Sequence, residues 1–294
     1  MNLDRVIRQD FAPTDHDYTA RDSLLYALSL GMGSDPLDAD ELPYVYEALP
    51  GRPQQVVPSQ AMILGWQPFW QDDPALAIDW KRILHGEEHV QLHRPLPAAG
   101  QVRTQHRMVR VQDKGAGRGA VLQMNTELYD RTSGLHLASL QSVQFMRGDG
   151  GCGDWGDPAA ATAPLPLIAD GAQPTAVLEY ATSAQSALLY RVASQDWMPI
   201  HADPDIAREA GFERPIAHGL NNLGRACRAL LKACAPGHPE RVRSIAARFV
   251  SPGLPGDTVR VELFDDGHGR VQFRSTAVER GVRLLDRGLC TLAP

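Results

Sequence analysis

The chain has 294 residues, 43% hydrophobic and 22% charged, a globular composition with room for two ordinary domains. Its formal net charge is −6 and its Lys and Arg are scattered rather than striped, which argues against nucleic acid as the main partner while leaving a small anionic ligand allowed. The polar start from Met1 to Asp10 has no signal-peptide character, no apolar run approaches the roughly 20 residues that cross a bilayer, and Leu292-Ala293-Pro294 is not a peroxisomal address. A cytoplasmic protein without membrane contact is expected. Cys152, Cys227, Cys234 and Cys290 show no C-x-x-C pairing and read as buried thiols, with Cys227 and Cys234 on one helix face.

In chain order, Thr19-x-x-Asp22 predicts a capping box ahead of an apolar helix containing Leu24, Leu25 and Tyr26. His85, His89 and His93 recur every four residues, which on a helix would suggest metal ligands. The segment leads into Arg94-Pro95, and solvated or hairpin-packed histidines are expected there rather than a metal site. A Pro/Gly turn from Pro95 to Gly100 leads into alternating Val109 and Val111, with a hairpin at Ser133-Gly134. The run from Gly148 to Pro158, followed by Ala and Pro to Pro166, breaks helix and strand alike. It divides the chain into residues 1–150, a linker at 151–170, and residues 171–294.

The second part repeats the first faintly. Thr182-x-x-Gln185 precedes Leu188, Leu189 and Tyr190 as a second capping box. A helix is predicted from Ile216 to Ala235, where Leu220, Leu223, Cys227, Leu230, Leu231 and Cys234 recur at three- and four-residue steps. Gly219 and Gly224 lie inside it, each at a cost of about 1 kcal/mol relative to Ala. They mark close backbone approach to another element or to a ligand. A turn at Pro252 to Gly256, strand residues Val259 and Val261, and a hairpin at Arg280-Gly281 complete the repeat. Each half is thus a small helical part followed by antiparallel strands, an α+β arrangement.

Asp196 and His201 stand five apart with Pro199 between them, which makes the segment a turn rather than a helix. Asp203-Pro204-Asp205 then reads as a cap and an acidic first turn, with Gly211 as the stop. A rigid loop of this kind can hold a carboxylate and an imidazole against one water, as general acid–base chemistry needs. An Asp and a His in one loop are also what a helix cap and a surface turn look like, so the pair alone selects no function. His218 reads as a core or hydrogen-bonded histidine, or as support for the site.

The run Tyr190-Arg-Val-Ala-Ser-Gln-Asp196-Trp-Met-Pro199-Ile-His201, followed by Pro215-Ile-Ala-His218-Gly219, resembles the signature of the MaoC-like, hydratase 2 family. Asp17-Tyr18, Leu84-His85-Gly86-Glu87, Arg94 to Pro97 and Asp113-Lys114-Gly115 resemble that family's non-catalytic repeat, and Arg248-Phe249 with Pro252 and Pro255 to Asp257 its second repeat. The resemblance covers nearly the whole chain. It implies a tandem (double) hot-dog fold, each half a curved antiparallel sheet around a central helix. It also implies an (R)-specific 2-enoyl-CoA hydratase, a hydro-lyase that converts trans-2-enoyl-CoA to (3R)-3-hydroxyacyl-CoA, with coenzyme A part of the substrate and no separate cofactor.

By the same resemblance Asp196 and His201 activate the water, and the Gly219 N–H holds the thioester oxygen. Which of Asp196 and His201 is the formal base stays open. The first half, lacking an Asp/His pair between Ser29 and Asp38, is expected to shape the acyl pocket. Lys114 is a candidate for a coenzyme A phosphate. Two positions depart from the signature: Gln195 replaces Gly and Met198 replaces Asn, and a thioether cannot make the amide's hydrogen bonds. Both are counted as substrate-side residues. These departures motivate an alternative, a catalytically weak acyl-CoA-binding partner protein, with a thioesterase as a third reading. A homodimer is expected.

Overall fold

The computed structural model describes residues 1–64 and 69–294. Helices α1 (Leu3–Val6), α2 (Ala20–Ser29) and α3 (Leu42–Val45), together with strand β1 (Thr14–Tyr18), precede four long strands. These are β2 (Ile83–Leu92), β3 (Gly100–Asp113), β4 (Ala120–Asp130) and β5 (His136–Met146). After the short β6 (Trp155–Gly156) come β7 (Ala176–Ala181), α4 (Ser186–Ser194), α5 (Pro204–Glu209) and α6 (Gly219–Cys234). The chain closes with β8 (Val242–Phe249), β9 (Thr258–Asp265), β10 (Arg270–Ala277) and β11 (Val282–Leu292).

The strands form one continuous sheet in the order β1-β3-β4-β5-β2-β8-β11-β10-β9-β7. Read outwards from the β2–β8 seam, each half gives the same succession, β2-β5-β4-β3-β1 on one side and β8-β11-β10-β9-β7 on the other. The faint sequence repeat is therefore a topological repeat, and the tandem hot-dog fold holds. The seam is antiparallel, from Glu87 opposite Arg248 to Gln91 opposite Ser244. Glu87 accepts a 2.8 Å hydrogen bond from Arg248 Nε across it.

Helix α6 is the axis of the core. Every residue from Leu220 to Leu231 is buried, and Leu223, Cys227 and Leu230 pack in one cluster with Ile245, Val261 and Phe273. Burying each leucine fully contributes about 2 kcal/mol. The two glycines separate in role. A Cβ on Gly224 would lie 2.5 Å from Leu30 and 3.2 Å from the Tyr26 hydroxyl, so Gly224 lets α2 approach α6. Gly219 belongs to the site described below.

The first half departs from expectation in one respect. Among the described residues it has no long helix of its own between α3 and β2, only 3-10 turns such as Pro58–Met62, which packs against α6. Pro43, Pro50, Pro53, Pro58, Pro68 and Pro74 recur too often in this stretch for an uninterrupted helix. Its loop after α2 instead grips α6. Arg228 donates to Glu41 (Nη2 to Oε2, 2.9 Å) and Lys232 donates to Asp38 at 2.6 and 2.7 Å.

Smaller expectations divide. Thr19 and Asp22 form the predicted capping box. The second one does not form: α4 starts at Ser186 after an uncapped Gln185, because the Thr182 hydroxyl donates to the Asp257 carbonyl at 2.8 Å. The Gly-rich run after residue 150 lies pinned on the first half, where the Asp113 carboxylate accepts N–H bonds from Gly151 and Gly153. His85 and His89 sit on β2 beside carboxylates, His85 Nε2 at 3.0 Å from Glu88 and His89 Nε2 at 3.2 Å from Glu87. All four cysteines are free, with Cys227 and Cys290 buried. Among the described residues no helix is long and apolar enough to cross a membrane.

Candidate active site

Helix α4 delivers the chain to the site and then stops abruptly. Gln195, at φ 58°, turns it in the left-handed conformation. The Ser194 hydroxyl donates to the Tyr190 carbonyl at 2.7 Å and accepts the Asp196 N–H at 3.3 Å. Asp196 Oδ1 in turn accepts the Met198 N–H at 3.1 Å. The carboxylate is thus oriented by backbone, and the Met198 side chain takes no part in holding it. Pro199–His201 forms a single 3-10 turn, and α5 follows with Asp203 capping the N–H groups of Asp205 and Ile206.

His201 is fixed from one side. Its Nδ1 lies 2.9 Å from the Ile216 carbonyl. A carbonyl only accepts, so Nδ1 carries the proton and Nε2 keeps its lone pair. Burial holds the His201 pKa below the ordinary histidine value, against the opposing pull of the Asp196 charge. The imidazole is neutral at neutral pH and able to accept a proton.

His218 completes the cluster. It is 2% exposed, and its ring stacks on His201 with centroids 3.6 Å apart and planes 25° from parallel. Its Nε2 stands 3.9 Å from Asp196 Oδ2, too far for a direct hydrogen bond. Burial, reinforced by His201, lowers its pKa to about 2. Asp196, His201 and His218 each present one polar atom, all within 4.8 Å of one another.

These residues line a cavity of about 500 Å³ whose other walls are largely apolar. The first half contributes Trp80, Ile83, Leu84, His85 and Phe145 to it, alongside Met198, Phe212 and Phe249 from the second. Gly219 lines it as the first residue of α6, where a backbone N–H has no intrahelical acceptor and the helix dipole is positive. A Cβ there would lie 3.0 Å from the Phe249 ring.

Of the six residues singled out in the sequence, Asp196, His201, Gly219 and Met198 meet in this cavity. Gln195 and Lys114 do not line it. Gln195 is exposed, and Lys114 sits in the β3–β4 hairpin, where its Nζ donates to Gln112 at 2.8 Å. The sequence reading missed His85, Phe249 and the first-half aromatic walls as cavity residues, because strand alternation does not reveal which of two faces will be covered by the other half. The sequence allows His218 as either core or support, and its place beside Gly219 is the one local signal for the site.

The MaoC like domain matches residues 168–287, and the MFE-2 hydratase 2 N-terminal domain matches residues 16–148. Enoyl-CoA hydratase 2, peroxisomal, of Arabidopsis thaliana is 34% identical over 292 residues, covering 97% of this chain and 93% of that protein. The 3-hydroxyacyl-thioester dehydratase Y of Mycobacterium tuberculosis is 34% identical over 264 residues, covering 90% of this chain and 87% of its own. A crystal structure of a MaoC-like dehydratase from Phytophthora capsici superimposes with a TM-score of 0.84 at 30% identity, covering 100% of this chain and 99% of that one.

Proposed function

This chain belongs to the MaoC-like dehydratase and hydratase 2 family, and on that premise we propose that it adds water to trans-2-enoyl-CoA thioesters to give (3R)-3-hydroxyacyl-CoA. It is a hydro-lyase, and the reaction runs reversibly as a dehydration. The observation that carries the reading is one convergence: a fixed carboxylate, a neutral imidazole with a free lone pair and a helix-start N–H line one wall of a largely apolar cavity.

In the proposed step, the water oxygen bonds to C3 while the C2=C3 π pair moves toward the thioester. Negative charge grows on the thioester oxygen, where the Gly219 N–H and the positive end of α6 oppose it. The Asp196/His201 pair takes the water's proton and a proton is delivered to C2, so that one water is consumed and the pair returns to its starting state. The first half supplies apolar wall for the acyl chain and none of the acid–base groups. The small apolar-lined chamber favours an acyl chain over a charged tail.

A cytoplasmic homodimer completes the proposal. Leu28, Leu188, Leu189 and Val192 stand exposed on the adjoining helices α2 and α4, an apolar face that suits a second copy.

The test is an assay with crotonyl-CoA and a longer enoyl-CoA, following absorbance of the conjugated double bond. Loss of absorbance without thiol release supports the hydratase. Release of free coenzyme A makes it a thioesterase, and binding without turnover makes it a partner protein.

A further inference from the structure

We infer that His218 is a third direct contact for the attacking water, so that the water is held at three points rather than by Asp196 and His201 alone. This rests on the hydratase reading and deepens it. The starting observation is an anomaly: His218 is 2% exposed, yet among the described residues neither ring nitrogen makes a hydrogen bond of ordinary length and angle, and only the Asp196 backbone bears on the ring as an acceptor. Buried polar atoms are paired in the great majority of cases, and an unpaired one at a site points to a water or a ligand that occupies it in use.

Geometry selects the occupant. Three atoms mutually within 4.8 Å fit inside a circle of radius at most about 2.8 Å, the length of an ordinary hydrogen bond to water. One water oxygen can therefore reach Asp196, His201 and His218 together. A tetrahedral zinc, with ligands at about 2.1 Å, would need them about 3.4 Å apart. The 3.9 Å between His218 Nε2 and Asp196 Oδ2 is too wide for that and right for a bridging water.

The chemistry agrees. With its pKa lowered to about 2 by burial and by the adjoining His201, His218 stays neutral through the reaction. It offers a hydrogen bond without competing for the proton, which leaves the transfer to the other two. Stacking on His201 at 3.6 Å and tilting against Tyr190 at 4.9 Å fix the ring on both sides. The Met198 position gives this contact its importance. Where the family signature has a side-chain amide this loop has a thioether, so His218 supplies a polar contact that the loop does not.

The experiment compares His218→Gln, which keeps a polar group, with His218→Leu, which keeps apolar bulk. Loss of one hydrogen bond to the water predicts a kcat about 10-fold lower for His218→Leu, with KM for crotonyl-CoA within about threefold. His218→Gln should recover most of that kcat. A packing role predicts the opposite order, so Leu equal to or better than Gln overturns the inference. Should either variant fail to fold, a high-resolution crystal structure of the wild-type protein decides. An ordered water within about 3.2 Å of both His218 Nε2 and Asp196 Oδ2 supports the contact, and a water out of reach of His218 overturns it. Wild-type protein that fails to hydrate enoyl-CoA sinks the proposed function instead, and the position of the water still decides the role of His218.

Discussion

Phe249 at the end of β8 lies against the backbone of Gly219, so close that a Cβ on Gly219 would stand 3.0 and 3.1 Å from two ring carbons. The glycine is needed because the aromatic wall and the N–H proposed to hold the thioester oxygen share one narrow space. Gly219→Ala should therefore push the ring or the helix start aside and lower kcat/KM by about 10-fold or more, less than the roughly 10²- to 10³-fold that removing an oxyanion donor outright produces, because the N–H is displaced and not lost. The Phe249→Leu change in the same background should recover part of it. Equal activity of Gly219→Ala and wild type would show that this N–H is not a contact of the reaction.

Asp196→Ala and His201→Ala should each reduce kcat by about 10² or more while the far-UV and near-UV circular dichroism stay native. The Asp196 carboxylate accepts one hydrogen bond, from within its own loop, and His201 makes one bond to Ile216, so neither removal opens the core. Retention of more than about a tenth of wild-type kcat in either variant would remove that residue from the acid–base pair.

Gln195 holds φ 58° in a turn that glycine fits without strain. A left-handed non-glycine residue costs about 1–2 kcal/mol, offset partly by the extra unfolded-state entropy of glycine. Gln195→Gly should raise the unfolding free energy by about 0.5–1 kcal/mol in urea titrations. A loss of stability would mean that the exposed side chain makes contacts that outweigh the strain.

Much of this was legible in the chain because the informative signals are local. The Asp196–His201 loop, the cap at Asp203, the capping box at Thr19 and the Pro/Gly turns before β3 and β9 each depend on a few neighbouring residues, and each folds as read. The failures share the opposite property. Thr182 carries a capping signature but spends its hydroxyl on Asp257, 75 residues away. Among the described residues the first half has no long helix between α3 and β2, and its loop after α2 grips α6 instead, with Arg228 meeting Glu41 across 187 residues of sequence. Lys114 lies outside the cavity lining, which leaves its candidacy for a coenzyme A phosphate untouched, since nothing local to its turn says which end of the sheet the cavity occupies. The stacking of His201 on His218 is likewise a product of the α6 start folding back onto the loop, not of either motif.

Acid should destabilise the protein through the same two rings. His201 and His218 both titrate below the ordinary histidine value because burial disfavours their charged forms. The unfolded chain therefore binds more protons than the folded one below about pH 6.5, and stability falls as pH drops through that value. Each such histidine contributes a slope of up to about 1.4 kcal/mol per pH unit. Between pH 6 and 4.5, His218→Gln should show a slope shallower than wild type by about that amount in urea titrations. Parallel curves would mean that His218 is not held neutral in the folded protein.

Met198→Asn tests what its departure from the family signature does. In a loop where an amide side chain held the carboxylate, restoring Asn would raise kcat, by about 2- to 13-fold for one hydrogen bond of 0.5–1.5 kcal/mol. Here Asp196 Oδ1 already accepts the Met198 N–H at 3.1 Å, a bond that any residue except proline supplies. The orientation of the carboxylate should therefore survive the change, and kcat on crotonyl-CoA should stay within about threefold of wild type. The Met198 side chain lines the cavity, so its loss should be felt by long acyl chains. Burial of a methionine side chain contributes about 1.5–3 kcal/mol, and losing about half of that raises KM for enoyl-CoA of ten carbons or more about 10-fold. Michaelis parameters over a chain-length series separate the two accounts. A gain in kcat above about fivefold on every substrate would show that the backbone contact is not enough, and that the native loop works below the rate its fold allows. A rise in KM confined to the long chains would assign Met198 to the acyl wall and explain why a thioether serves at this position.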